Sequence, residues 1–225
     1  MKLRCIVTTI GFLSAVVAQS STLVSHIEAN DPLTEGFSNP QNSGVISIGP
    51  LLNDQGRGAW AVDSGGANFY YNYSLSPAAA ASANSMGWSL KMNLRLADIP
   101  DPVDFGVYAD FASSGGVYQM GFGVQPDGDP VLELITDSNP LVYSLELGGI
   151  GYHSYEVRYN PLTDSADVHI DGALRVSGWQ GRSVPVFNAQ ANFGSFYYPG
   201  HANWNEFTLA IIPEPASWLL VVLGF

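Results

Sequence analysis

YHSYEVRYNPLTDSADVHIDGALRVSGW, residues 152–179, holds three short segments whose side chains alternate between an apolar and a polar face. Tyr155, Val157 and Tyr159 fall on one side, with Ser154, Glu156 and Arg158 on the other. After a turn at Asn160-Pro161, Ala166, Val168 and Ile170 alternate with Asp167, His169 and Asp171. Asp171-Gly172 then offers a two-residue turn that tolerates positive φ, and Ala173 to Val176 returns. A period of two puts every second side chain on one face, so each strand has one buried and one wet side. Asp-Gly between two such runs is a strong hairpin signal. The stretch predicts an antiparallel sheet with one solvated face.

The rest of the chain fits that sheet. Its 225 residues suit one all-β domain, and the 12% charged fraction with 24 Gly and 14 Pro favours strands and tight turns over helices. The formal net charge is −12. Removing Lys2 and Arg4 with a leader takes 8 basic residues to 6, against 20 acidic ones, for −14. Such a surface repels phosphate backbones, and no basic cluster relieves it, so nucleic acid is excluded as a partner. The sole cysteine, Cys5, lies in the apolar leader, so the mature protein is expected to use no disulfide.

Residues 1–18 read as a signal peptide. Lys2 and Arg4 precede an apolar run from Ile6 to Val17, and Val16-Val17-Ala18 supplies a cleavage point. Ser20 to Gly44 looks irregular, a segment draped over the sheet edge. Short strands are expected at Gly58–Val62, Asn68–Leu75, Val103–Ala109, Val117–Val124, Pro130–Ile135, Leu141–Leu147, Asn192–Tyr197 and Trp204–Ile212. Gly87–Ala97 is the cleanest, with Trp88, Leu90, Met92, Leu94 and Leu96 on one face. The one helix is expected at 77–85, where Pro77 begins an Ala-rich run. Strands at roughly 8–12-residue spacing predict a two-sheet antiparallel jelly-roll sandwich.

Several motifs together carry a resemblance: Asp31-Pro32 with Glu35-Gly36, Gly58-Ala59-Trp60, Gly87-Trp88-Ser89-Leu90, Tyr152-His153-Ser154-Tyr155, Asp171-Gly172 and Asn203-Trp204-Asn205. Over residues 27–212 the chain resembles the concanavalin A-like lectin/glucanase superfamily, and within it the laminin-G-like and sialidase-associated jelly rolls of exported bacterial proteins. The resemblance implies two stacked antiparallel sheets, one concave. A second resemblance covers 213–225. Pro213-Glu214-Pro215 before an apolar run looks like a PEP-CTERM sorting signal. It implies transient anchoring in the inner membrane through the C-terminus, and processing by an exosortase-type enzyme. The destination would be the cell surface or extracellular matrix of a Gram-negative-type bacterium. The run from Ala216 to Phe225 departs from that pattern: it falls short of the about 20 residues of a span, and no Arg or Lys follows it.

Three chemistries follow for the domain. Retaining glucanases need two carboxylates about 5–5.5 Å apart, which on one strand asks for acids two or four positions apart. No Glu-x-Asp-x-x-Glu run exists. Sialidase Asp boxes, a Gly-x-Ser-x-Gly elbow and a His-Glu-x-x-His helix are also missing. Asp167, His169 and Asp171 share a face and read as the wet side of a strand. Calcium is the implied cofactor, with Glu35, Asp127 and Asp129 as ligands, and with Asp98, Asp101 and Asp104 grouped in another loop. Sugar binding is the third. Tyr197, Tyr198, His201, Asn203 and Trp204 combine aromatic faces with polar neighbours, as pyranose recognition requires. Phe69-Tyr70-Tyr71-Asn72-Tyr73 is a second such stretch, and Trp179 sits in a Gly-rich loop.

The expected function is therefore a non-catalytic carbohydrate-binding or adhesion module of an exported protein, with extracellular polysaccharide or glycan as partner. The alternatives are a glycoside hydrolase or lyase on the same fold, and a structural matrix protein without a ligand.

Overall fold

The structure, a computed structural model, describes residues 20–42, 47–65, 68–98, 105–124, 130–138, 140–144, 151–186, 188–195 and 200–212. It is a sandwich of two antiparallel sheets. One sheet runs β13 (Ala173–Trp179), β12 (Ser165–Ile170), β11 (His153–Asn160), β6 (Trp88–Asp98), β15 (His201–Ile211), β4 (Arg57–Asp63), β3 (Ser47–Asp54), with β1 (Ser21–Ile27) also on β15. The other runs β10 (Leu141–Ser144), β9 (Pro130–Leu134), β8 (Gly116–Val124), β7 (Val107–Ser113), β14 (Gln190–Ser195), β5 (Phe69–Ser74), β2 (Ser38–Asn42). The jelly-roll expectation holds, and the strands of residues 152–179 form one end of the first sheet, with β13 at its edge. Tyr155 pairs with Ile170, and Asp171-Gly172 turns with φ of 50° and 79°, both positive as that tight turn requires.

The single helix, α1 (Pro77–Met86), lies where the Ala run predicts it. Ser76 caps it, its side chain accepting from Ala79 N at 3.2 Å, and Pro77 occupies the first turn, where a missing N–H costs nothing. The chain crosses between the sheets through α1, so β5 and β6 lie in different layers.

The facing sides of the sheets make the core. Trp88 of β6 stacks on Tyr159 with centroids 5.4 Å apart and meets Phe111 and Tyr118 edge-on. Phe193 of β14 joins Phe37, Trp204 and Phe207 in a second aromatic group. Such contacts add about 0.5–1.5 kcal/mol per pair beyond area burial.

Ser38–Asn42 forms β2 within the segment expected to be irregular, and two further elements differ from the sequence expectation. Ser21–Ile27 is a strand, so the sandwich begins before residue 27 and takes in part of the segment expected to be irregular. The alternation there, with only Val24 and His26 buried, is too short to stand out from the polar residues around it. The second difference is in β15. Its register on β6 slips between Trp204 and Glu206, leaving Asn205 as a bulge. One extra residue reverses the facing of everything beyond it. Trp204 therefore points inward together with Phe207, Leu209 and Ile211. The bulge also marks where β15 changes partners, from β4 along residues 201–204 to β1 along 206–211. Asn205 holds the junction, donating from Nδ2 to Gly58 O at 2.7 Å and accepting at its carbonyl from Glu28 N at 2.6 Å.

Candidate functional site

The outward face of the β9–β8–β7–β14–β5 sheet is expected to be wet, since it points away from the other sheet. It is not. Tyr108, Asp110 and Asn192 point outward from β7 and β14, yet they are only 6%, 8% and 4% exposed. The face is a recess, a cavity of about 260 Å³ lined by Tyr70, Tyr108, Asp110, Gln119, Arg182, Gln190 and Asn192 among others.

Strand register arranges these side chains in rows. Gln119, Asp110, Asn192 and Asn72 are paired neighbours across β8, β7, β14 and β5. Asn192 Nδ2 donates to Asp110 Oδ1 at 2.7 Å, and Asn72 Nδ2 donates to Asn192 Oδ1 at 2.6 Å. Asn72 Nδ2 also donates to Gln190 Oε1 at 2.9 Å, while Ser74 Oγ donates to Asn72 Oδ1 at 3.1 Å. The next row contains Glu133, Gly121, Tyr108, Gly194 and Tyr70. Gly194 brings no side chain between the two tyrosines, whose rings meet edge-on at 6.0 Å. Phe105 lies over Gly121 on the far side of Tyr108.

Arg182 enters from a crossing segment. Its backbone pairs with Val117 through two 2.9 Å hydrogen bonds, which continue the sheet beyond the end of β9. Its Nη2 donates to Gln119 Oε1 at 3.1 Å, and its buried Nε has no hydrogen-bond partner. Burial pushes the Asp110 carboxyl up to about 7, although the Asn192 hydrogen bond and the Arg182 charge pull it down. Burial likewise raises the hydroxyl of Tyr108, with Asp110 and Tyr70 adding to it, and raises the carboxyl of Glu133.

Of the residues expected to bind sugar, His201, Asn203 and Trp204 are described, and none of them lines this recess. Trp204 is 0% exposed, so it offers no ring face to a ligand; the bulge at Asn205 explains this correction. Asn203 lies on the outer face of the opposite sheet. Its Nδ2 donates to Asp54 Oδ2 at 2.7 Å, alongside the Tyr152 hydroxyl at 2.8 Å and Arg95 Nε at 2.9 Å. Burial would raise the Asp54 carboxyl, but these donors outweigh it and hold it below the ordinary range. His201 is half-buried with its Nε2 unpartnered. Tyr197 and Tyr198 fall outside the described residues. Of the second aromatic stretch, Tyr70 and Asn72 do belong to the recess, while Tyr71 is core and donates nothing to it. Trp179 is buried as well, its Nε1 donating to Ile135 O at 3.1 Å. Asp167 and Asp171 line the solvent side as expected, accepting hydrogen bonds from Ser177 and from His153.

Of the expected calcium ligands Glu35, Asp127 and Asp129, only Glu35 is among the described residues. Glu35 Oε2 accepts from the buried His26 Nδ1 at 2.7 Å, and its Oε1 accepts from Ile27 N and Asn30 Nδ2 at 3.2 and 3.1 Å. That carboxylate ties the 3-10 turn at Pro32–Glu35 to β1. Asp127, Asp129, Asp101 and Asp104 lie outside the described residues, as do residues 1–18 and Pro213, Glu214 and Pro215. Among the described residues no group of three or more His, Cys, Asp or Glu could hold a metal ion. Among them, too, no helix is long and apolar enough to cross a membrane.

No protein-family model matches the chain, and no curated protein does. Solved structures do resemble it. A carbohydrate esterase from the Shiga toxin-encoding bacteriophage phi24B superposes with a TM-score of 0.64 at 13% identity, covering 86% of this chain and 99% of the esterase. The binding domain of botulinum neurotoxin serotype D/C gives 0.57 at 11% identity, covering 91% of this chain and 52% of that one. A botulinum neurotoxin type C structure, whose description makes cell entry dependent on two ganglioside molecules, gives 0.53 at 11%, covering 91% and 51%. At such identities the likeness is one of fold, and the chain spans about half the length of the toxin domains.

Proposed function

We propose that this chain is a non-catalytic carbohydrate-binding module, and that its site is the recessed outer face of the β9–β8–β7–β14–β5 sheet. The observation that carries this is the register-aligned row Gln119–Asp110–Asn192–Asn72 on the outward face of its sheet, with Asp110, Asn192 and Asn72 buried and Gln119 half-buried. Burying polar groups costs free energy unless they are paired. A row of carboxylate and amide groups beside two tyrosine rings and an incompletely paired arginine has the complement a sugar requires: in-plane hydrogen bonds and an apolar ring face. The cavity, about 260 Å³, is smaller than the ~300–1,000 Å³ of drug-sized pockets and suits a sugar ring. The solved structures that share the fold support the proposal, since one is described as a carbohydrate esterase and another depends on gangliosides.

In the same proposal the protein is exported by residues 1–18. It is held transiently at the inner membrane through 213–225, processed at Pro213-Glu214-Pro215 by an exosortase-type enzyme, and delivered to the surface or matrix of a Gram-negative-type bacterium. Cell fractionation of tagged full-length chain and of Glu214→Ala tests this. Calcium at Asp127 and Asp129 belongs to the proposal too, and a thermal shift with calcium that a chelator reverses is its test.

The test of the binding function is affinity electrophoresis through embedded polysaccharides. Tyr70→Ala and Gln119→Ala should lose retardation, while Glu156→Gln, on the opposite sheet, should keep it. A hydrolase or lyase is the second reading, favoured by one observation: Asp110 and Glu133 both stand on the recessed face with carboxyls raised by burial. Release of reducing ends from those polysaccharides, lost in Glu133→Gln, would replace the binding reading with this one.

A further inference from the structure

Asp110 and Arg182 face one cavity without closing on each other. Arg182 Nη2 is fixed to Gln119, and Gln119 is the direct cross-strand neighbour of Asp110. Paired residues on adjacent strands stand about 4.5–5.5 Å apart. The guanidinium is thus held against the strand next to that of the carboxylate, and the two make no ion pair. Asp110 Oδ1 is taken by Asn192, and no described residue donates to its Oδ2. Arg182 Nε is buried and unpartnered. An acceptor and a donor are thus left on residues that line one gap, which the Tyr70 and Tyr108 rings line as well.

We infer that this gap selects a neutral sugar, gripped through a vicinal pair of hydroxyl groups, one donating to Asp110 Oδ2 and the other accepting from Arg182 Nε. This rests on the carbohydrate-binding reading of the cleft and gives it a substrate class. Two adjacent equatorial or equatorial–axial hydroxyls present one donor and one acceptor side by side, so that one sugar edge can bridge a carboxylate oxygen and a guanidinium N–H. They satisfy both groups without breaking the Gln119 or Asn192 bonds. The charges argue for neutrality. Among the described residues that line the cavity Arg182 is the one cationic side chain, and Asp110 offsets it. A uronate, sulfate or phosphate seated on Arg182 would face the Asp110 carboxylate at short range and enter against a chain of net charge −12.

The experiment pairs each neutral methyl hexoside (gluco, galacto, manno) with its hexuronic acid counterpart, and with the monodeoxy analogues of whichever hexoside binds. Titration is by NMR on the wild type, Asp110→Asn and Arg182→Gln. The inference expects the neutral sugar to bind and its uronate to bind at least about 10-fold more weakly. Removing either hydroxyl of one vicinal pair should cost about 10-fold or more, as should each substitution, at unchanged circular dichroism. A uronate that binds more tightly than its hexose, with Asp110→Asn strengthening it, overturns the neutral-diol assignment and leaves the cleft a glycan site. Binding that is unaffected by both substitutions, or is absent for every sugar, overturns the cleft reading itself along with the inference.

Discussion

Replacing Asp110 by asparagine keeps the side chain's shape and its hydrogen bond from Asn192 while removing the charge. In the folded protein burial pushes this carboxyl from its ordinary 3.8 to about 7, against the pull of Asn192 and Arg182. The native state therefore holds the proton more tightly than the unfolded chain does. The resulting stabilisation is fully present below about pH 4 and is lost as pH rises through about 7. A shift of some three pH units at about 1.4 kcal/mol each sets an upper bound on the order of 4 kcal/mol. Asp110→Asn should match the wild type near pH 4 and exceed it by about 2–4 kcal/mol at pH 8. Urea denaturation of both proteins across that range measures the difference directly. His26 has the opposite sign. Burial lowers its pKa, more than the Glu35 hydrogen bond raises it, so its contribution is present above about pH 6.5 and falls away in acid. Both proteins carry His26, so it cancels in the subtraction. A difference that stays flat with pH, or that favours the wild type at pH 8, would refute the assignment of Asp110 as a carboxylate desolvated in a recess.

Other substitutions follow from the packing. Trp204→Ala should cost about 3–5 kcal/mol by urea denaturation. Trp204→Phe should cost about 1.5 kcal/mol or less, because the buried indole N–H gives up no hydrogen bond. Glu35→Ala should cost about 2–3 kcal/mol through the bonds lost to His26, Ile27 and Asn30, and a chelator should leave that difference unchanged. Gly194→Ala should destabilise by about 3 kcal/mol or more, since φ is +152° and a Cβ would come within 2.7 Å of Tyr70 Cα; thermal unfolding reads this.

Local pattern carried most of the fold. The alternation of 152–179, the Asp171-Gly172 turn and the apolar face of β6 needed no knowledge of partners, because a period of two and a positive-φ turn are properties of neighbouring residues. The helix was legible for the same reason, from Pro77 and the alanines after it. What was not legible depends on pairing. Strict alternation puts Trp204 on the opposite face from Phe207, and only the register slip at Asn205 brings both inside. Ser21–Ile27 becomes a strand because β15 has a free edge beyond that bulge. The recess is assembled from single polar residues in four strands, of which only β7 and β8 are consecutive in sequence. Each of them (Gln119, Asp110, Asn192, Asn72) looks like an ordinary outward position on its own strand. Strand order and register make them a row, and neither is written in any one stretch.

Isotope-labelled protein titrated with a polysaccharide oligomer that it retards would test the central claim most directly. The cleft account predicts that amide shift changes concentrate on Tyr70, Tyr108, Asp110, Gln119, Arg182 and Asn192, and that Asn203 and Asp54 on the opposite sheet stay put. Changes centred on residues 196–204 or on the Asp54–Arg95–Tyr152 cluster, with the cleft silent, would contradict it.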